Sequence, residues 1–551
     1  MSLLSRIVAR KWRLPAAIAR DIKIEELRVP MRDGVALVAK RYYPAGGGAR
    51  PTVLVRSCYG ISGPFGLIGR LFAERGLQAV LQNCRGIGGS EGVFRPFFDE
   101  QNDGEDTVNW LIGQAWFDGN LALWGISYLG NTAWAIANSA AAGKVKAMGL
   151  HVTLTNFHDR TYAFGGFTLQ GSMGWTFTMD EVKRSEGRNQ LLRIPAMRRT
   201  RILAEKAMGV LPLKDADRVV APEGVGWWQD WMNHAEPGDS YWSPIDYGRA
   251  AESMPAAVMT AGWYDIFLPW QVKNFVDAQN AGRDVRLIIG PWMHAAMAGA
   301  AETLRESMTL FQEQFGLSAR GAAKARVRLF LMGANEWRDY PSWPVPGARA
   351  QNYFLDAGGL LTRGAPAAAG SREFEYDPAR PTPSLFGPTI EGKAGSGDIG
   401  ALERRADVVV FTSETLENAV DVIGAVAAEV YFRSNTQHTD LYLCLCDVNA
   451  AGVSTNICDG YRRLRPEAPP MLEDGSTRKV AVEFWPTAYR FERGHRIRVI
   501  VGSGGHPRYV RNLGTGDALG EGQRTVVQQQ EIMYGPEYPS AISLSVVGGI
   551  E

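Results

Sequence analysis

Ser127 stands in Leu123-Trp124-Gly125-Ile126-Ser127-Tyr128-Leu129-Gly130, a Gly-x-Ser-x-x-Gly pattern able to present a nucleophilic hydroxyl. Apolar, strand-like residues from Leu121 to Trp124 lead into it, and the run Trp134-Ala135-Ile136-Ala137-Asn138 suits a helix leading out. A strand that turns sharply into a helix strains the serine backbone, and small neighbours relieve the crowding. The hydroxyl then sits at the top of a sheet, and the next amide, that of Tyr128, is turned toward a developing oxyanion.

A serine hydroxyl needs a base near neutral pH, and histidine is the usual one. Of the seven histidines, His438, His495 and His506 fall in a strand-rich C-terminal region, and His151, His158 and His234 lie in or beside a helical stretch. His294 follows Leu287-Ile288-Ile289-Gly290-Pro291-Trp292-Met293, an apolar strand and then a loop. On an α/β-hydrolase sheet the chain order is Ser, then Asp or Glu, then His, so the acid belongs between Ser127 and His294 and directly after a strand. Asp265, at the end of Val258-Met259-Thr260-Ala261-Gly262-Trp263-Tyr264, meets that requirement, whereas Asp277 and Asp284 sit in or after a helical run. Asp265 also reads as a helix N-cap before Ile266, Phe267 and Leu268; the order of the three residues favours a triad. Gly88-Gly89-Ser90-Glu91-Gly92 fits Gly-x-Ser-x-Gly outright, but Val93-Phe94-Arg95-Pro96 follows, and proline opposes an immediate helix. Ser90 is expected to be a loop residue.

The elements that must position these residues are legible as period and punctuation. Ile22 to Val29 and Val35 to Tyr43 flank Arg32-Asp33-Gly34 as a hairpin. Thr52 to Arg56, Leu77 to Gln82 and Lys146 to Val152 are short apolar strands, with helical character at Gly66 to Arg75 and Glu105 to Ile112, as an α/β unit requires. After Thr153, aromatic and glycine-rich sequence gives way to a charged, amphipathic stretch from Met179 to Met208, before strands resume at Ala256 to Ala261 and Val285 to Ile289. This order fits an α/β domain interrupted by a helical insertion of the kind that covers active sites. Beyond the Pro- and Gly-rich segment Asp377 to Gly400 come short alternating runs at Asp407 to Phe411, Ala427 to Phe432, Leu441 to Val448, Val480 to Phe484 and Ile497 to Val501, the pattern of a β-sandwich or jelly roll. The expected divisions are 1–150 and 246–352 for the two parts of the α/β-hydrolase core, 151–245 for the helical cap, and 353–551 for the jelly-roll-like sandwich. No internal repeat is present.

Composition bounds the alternatives. With 551 residues, 45% hydrophobic and 21% charged, the chain can bury several cores, and its net charge of +1 gives no reason to expect nucleic acid as a partner. Five cysteines, Cys58, Cys84, Cys444, Cys446 and Cys458, are too few and odd for a disulfide framework. Cys444 and Cys446 alternate with leucines and are expected on one face of a strand, without the second ligand pair a metal site needs. Met1 to Arg20 carries charges too early for a signal-peptide core and reads as a basic helix docked on the body or on another subunit rather than on lipid; no segment is apolar enough to span a membrane, and the expected location is cytoplasmic.

Further stretches carry a resemblance. Pro30-Met31-Arg32-Asp33-Gly34-Val35, Arg85-Gly86 through Gly92, Gln114-Ala115-Trp116-Phe117-Asp118-Gly119-Asn120, the Ser127 elbow, Ala261 to Asp265, Gly290 to His294, Met332 to Arg338, Gly494-His495-Arg496-Ile497 and Pro507-Arg508-Tyr509 follow one another through nearly the whole chain. In this order they resemble the CocE/NonD family of α/β-hydrolases, related to X-prolyl dipeptidyl-peptidases and α-amino acid ester hydrolases. The resemblance implies nucleophile Ser127, acid Asp265 and base His294. It implies an oxyanion hole made by the Tyr128 amide and the hydroxyl of Tyr59, which follows the Thr52 to Arg56 strand. Trp175 and Phe267 match the aromatic acyl-pocket positions.

Three departures accompany the resemblance. Asn83-Cys84 stands where the family has an Asp before Arg-Gly, a tryptophan early in the insertion is replaced near Thr161-Tyr162, and no carboxylate cluster is present to hold a substrate α-amine. The expectation is a cofactor-free, metal-free serine carboxylesterase working through an acyl-enzyme on a small-molecule ester with an apolar or aromatic acyl group. Amide or peptide hydrolysis by the same triad, and a binding protein with an inactive hydrolase body, are the alternatives; the oligomeric state, a homo-oligomer included, is left open.

Overall fold

The apolar runs of the first half become strands of one sheet, buried on both faces in its centre. In the computed structural model, which describes residues 2–184, 193–319, 321, 324–390 and 394–548, this sheet has ten strands: β1 (Ile22–Pro30), β2 (Ala36–Pro44), β3 (Arg50–Ser57), β4 (Gln78–Asn83), β5 (Phe117–Ile126), β6 (Val145–His151), β7 (Ala256–Tyr264), β8 (Val285–Met293), β9 (Val327–Leu331) and β10 (Glu336–Tyr340). Their order is β1-β2-β4-β3-β5-β6-β7-β8-β9-β10. The run from β4 to β9 is parallel, and the flanking pairs β1–β2, β2–β4 and β9–β10 are antiparallel.

Alternation along β3 shows why the centre reads as a continuous apolar run. Val53 and Val55 join Leu71 and Phe72 of the helix Pro64–Ala73 and Met308 and Phe311 of the helix Met297–Gln314. Leu54 points the other way, into the cluster holding Val108, Leu111 and Ile136 from the helices Glu100–Ile112 and Tyr128–Ala137. The helix expected from Glu105 begins five residues earlier, at Glu100. Its first turn is polar in sequence yet buried, because Glu100 and Asp103 face the fully buried Arg56 at 2.7 and 3.7 Å.

Between β6 and β7 lie the helices Phe157–Thr161, Leu169–Arg184, Arg193–Ala207 and Gly226–Asn233. The amphipathic stretch expected from Met179 to Met208 falls on two of them, and its residues 185–192 lie outside the described ones. The N-terminal helix Leu3–Lys11 docks on the body, Ser5 donating to Glu74 at 2.7 Å. Among the described residues no helix is long and apolar enough to cross a membrane.

From Arg349 to Val547 the chain builds a second, almost wholly antiparallel sheet of twelve strands. Its long strand Val420–Ser434 pairs with four others, Arg478–Glu483, Thr487–Phe491, Gln528–Tyr534 and Ala541–Val547. The chain is thus an α/β-hydrolase domain joined to a C-terminal β domain. The second sheet also contains Arg349–Asp356, Gly370–Tyr376, Ser454–Leu464 and the last two strands, none of which stands out in the sequence. Ser454–Leu464 carries Asn456, Asp459, Arg462 and Arg463; Asn456 and Asp459 are buried, and Asp459 is paired with Arg508.

Candidate active site

β5 delivers Ser127 to the carboxyl edge of the sheet, and the helix Tyr128–Ala137 starts at the next residue. Ser127 takes φ 55° and ψ −122°, a strained conformation for a residue with a Cβ. Its N–H donates to the His151 carbonyl on β6 at 2.9 Å, which fixes the turn to the sheet. A Cβ on Gly125 would collide with the Leu129 carbonyl, so glycine is required there by close backbone approach. Ser90, by contrast, sits in a loop, accepting from the Val38 amide at 2.9 Å and donating to the Asn83 carbonyl at 3.2 Å.

Asp265 leaves β7 and His294 leaves β8 at the same sheet edge. His294 Nε2 lies 2.9 Å from Ser127 Oγ, and its Nδ1 lies 2.6 Å from Asp265 Oδ2. Asp265 is wholly buried, and its other oxygen accepts from the Phe267 amide at 2.8 Å. The neighbouring helix begins only at Leu268, with Phe267 as its N-cap, so Asp265 closes the turn before the helix without capping it. The second sheet reaches this loop: Trp485 Nε1 donates to the Asp265 carbonyl at 3.2 Å.

Tyr128 and Tyr59 line the same cavity as Ser127. Tyr128 is the first residue of its helix, so its N–H has no carbonyl one turn back to bind. Its side chain is anchored elsewhere: the phenol donates to Glu100 at 2.8 Å and accepts from the Phe97 amide at 2.9 Å. Tyr59 follows β3, and its hydroxyl accepts from Trp175 Nε1 at 2.9 Å. Burial pushes the Tyr59 phenol well above its ordinary pKa, and the hydrogen bond from Trp175 opposes this only in part, so the phenol stays protonated. His151, fully buried under the site with Nδ1 2.7 Å from Thr260 Oγ1, is pushed down to about 4 by burial and stays neutral.

These groups open on a cavity of about 160 Å³. Trp175 and Phe267 both line it; the Phe267 ring stands edge-on to His294 at 5.1 Å between centroids, and Trp175 stacks on Tyr128 at 6.0 Å. Phe97, Phe157, Trp231 and Ile390 complete the apolar wall, and sequence reasoning missed all four. For Phe157 and Trp231 the only signal is the density of aromatics in the insertion; Phe97 and Ile390 lie outside it and carry none. Of Arg160, Thr161 and Tyr162, only Arg160 lines the cavity. Cys444 and Cys446 lie side by side in the strand Thr439–Val448, their sulfurs 3.7 Å apart. Among the described residues no group of three or more His, Cys, Asp or Glu is arranged to hold a metal ion.

A parallel sheet with a strand-to-helix serine, hydrogen-bonded to a histidine from a later strand end, defines the class: a serine hydrolase of the α/β-hydrolase fold. Residues 33–296 match the X-Pro dipeptidyl-peptidase (S15 family), and residues 321–543 match the X-Pro dipeptidyl-peptidase C-terminal non-catalytic domain. The chain is 31% identical to the cocaine esterase of Rhodococcus sp. (strain MB1 Bresler), over 94% of its own length and 97% of that protein's. It superposes on an aminopeptidase from a marine sediment Thaumarchaeota archaeon with TM-score 0.80 and 21% identity, covering 97% and 98% of the two chains. An α-amino acid ester hydrolase gives TM-score 0.77 at 21% identity with the same coverage. At that identity the two structures show the fold. The chain belongs to the CocE/NonD family of serine hydrolases.

Proposed function

We propose that the protein is a carboxylesterase in which Ser127, His294 and Asp265 form an acyl-enzyme through a shared oxyanion hole. The observation that carries this reading is the continuous hydrogen-bonded line Ser127–His294–Asp265, at 2.9 and 2.6 Å, opening on an aromatic cavity. His294 Nε2 takes the hydroxyl proton as Ser127 Oγ bonds to the ester carbonyl carbon. Asp265 holds the imidazole in the tautomer with Nδ1 protonated and stabilises its charged form. The Tyr128 amide and Tyr59 hydroxyl receive the negative charge on the carbonyl oxygen. Collapse of the tetrahedral intermediate breaks the bond to the leaving oxygen, which takes the proton from His294. Water then enters, gives its proton to His294 and bonds to the acyl carbon; collapse of this second intermediate breaks the bond to Ser127 Oγ, which takes the proton back from His294 as the acid leaves.

Two features support ester over amino-terminal peptide substrates. The similarity extends over nearly the full length of an esterase. No aspartate or glutamate is among the cavity-lining residues described, so nothing acidic there receives a free α-amine. The aromatic wall suits an apolar or aromatic acyl group. The test is a panel of matched p-nitrophenyl esters and p-nitroanilides, with Ser127→Ala as control. Ester turnover that vanishes in Ser127→Ala is expected. Faster anilide cleavage would overturn the preference, and a folded protein that a fluorophosphonate fails to label at Ser127 would overturn the mechanism.

A further inference from the structure

One charge in the cavity has no role in that scheme. Arg160, from the helix Phe157–Thr161, lines the same cavity as Ser127 and His294 and is 3% exposed. Its guanidinium offers five N–H donors, yet among the described residues its hydrogen bonds reduce to one, Nη1 to Ser172 Oγ at 3.1 Å. No carboxylate among the described residues lies within ion-pair distance of it. Of the other buried arginines, Arg56 has Glu100 at 2.7 Å and Arg508 has Asp459 at 2.5 Å, whereas Arg478, away from this cavity, also has no carboxylate within ion-pair distance among the described residues. A buried cation without a counter-charge is costly, and that cost disappears when a ligand supplies the anion.

The surroundings are fitted to this side chain. A Cβ on Gly171 would collide with Arg160 Nη2, so the facing helix is cut back where the guanidinium passes. Its carbon stands 5.7 Å from the centroids of both Phe157 and Phe267, which hold the plane without neutralising it. Among the described residues Asp265 is the one acid that acts on it through space. Both Asp265 oxygens are already bound, one to His294 and one to the Phe267 amide. Burial lowers the Arg160 pKa to about 10, so the side chain is still a cation at neutral pH.

We infer that Arg160 is a specificity-determining residue that binds a carboxylate carried by the ester substrate, away from the scissile bond. The inference rests on the esterase reading and narrows its substrate class to acidic esters, such as half-esters of dicarboxylic acids or esters of hydroxy acids. The planar fork matches a carboxylate with two parallel N–H donors. The same charge repels a cationic α-amine.

The test compares kcat/KM on two arms in wild type, Arg160→Met and Arg160→Lys. The first arm places the carboxylate on the acyl side, p-nitrophenyl hemiglutarate against p-nitrophenyl valerate. The second places it on the alcohol side, 4-carboxyphenyl butyrate against phenyl butyrate. On one arm the wild type is expected to favour the acid, and Arg160→Met to lower the acid-to-neutral ratio on the order of 10²-fold, with neutral esters little changed. Arg160→Lys should recover part of the ratio, because charge returns without the fork. Should Arg160→Met fail to fold, wild-type inhibition by glutarate, and none by glutaramide, during valerate hydrolysis reads the same site. An unchanged ratio on both arms, or equal inhibition by the two diamide and diacid probes, overturns the inference. Loss of valerate turnover together with loss of Ser127 labelling would instead count against the esterase reading beneath it.

Discussion

Replacing Tyr59 by Phe removes one hydroxyl from a site whose other proposed donor is a backbone amide. Loss of one oxyanion donor costs on the order of 10²–10³ in turnover, about 2.7–4 kcal/mol of transition-state stabilisation. The structure adds a second consequence. Trp175 Nε1 now donates to that hydroxyl at 2.9 Å in the cavity wall, and in Tyr59→Phe it loses its acceptor. For a half-buried indole this costs about 1 kcal/mol of stability, the low end of the range for a buried donor. The variant is therefore expected to be slower and also less stable. Trp175→Phe removes the stranded donor, so the double variant Tyr59→Phe/Trp175→Phe should regain part of the lost stability and none of the lost rate. The rate is read as the burst of p-nitrophenol in stopped flow, which isolates acylation, and stability as the midpoint of urea unfolding. Tyr59 ionises well above its ordinary pKa, so the rate deficit should persist unchanged into alkaline solution. Wild-type acylation in a folded Tyr59→Phe protein would refute the assignment, and stability recovered without Trp175→Phe would refute the account of the indole.

Two further outcomes follow from the geometry. Asp265→Asn keeps an oxygen for the Phe267 amide but reverses the donor–acceptor sense toward His294; kcat is expected to fall about 10⁴-fold with little change in melting temperature, measured by steady-state kinetics and calorimetry. His151 is held near 4 in the folded protein against an ordinary 6.5, so between those values the unfolded chain binds the extra proton. Its contribution to stability is full above the ordinary value and is lost as pH falls toward the folded one, about 2 kcal/mol between pH 7 and pH 5. His151→Asn should remove that share of the acid sensitivity in urea titrations at the two pH values; an unchanged slope would show that His151 does not titrate as the structure requires.

The strands that supply the site were legible because parallel strands buried on both faces appear as short uninterrupted apolar runs. β3, β5, β7 and β8 are of this kind. What stayed hidden was polar in sequence and buried in fact. The first turn of the helix Glu100–Ile112 and the strand Ser454–Leu464 pair their charges inside the protein, as Glu100 does with Arg56 and Asp459 with Arg508. Periodicity cannot reveal such residues, since their partners come from other segments.

By itself the sequence determined the local and the ordered features: a serine between a strand and a helix, then an acid and a histidine after later strands. Local sterics dictate the first, as the close approach at Gly125 shows, and covalent order dictates the second. Tertiary structure alone decided what surrounds the serine. Ser127 and His294 are 167 residues apart in the chain and 2.9 Å apart in space. Phe97, Arg160, Phe267 and Ile390 reach one cavity from four separate segments. The charge of that cavity depends on Arg160 meeting no carboxylate among the described residues, and a chain read one segment at a time holds no record of which charges stay apart.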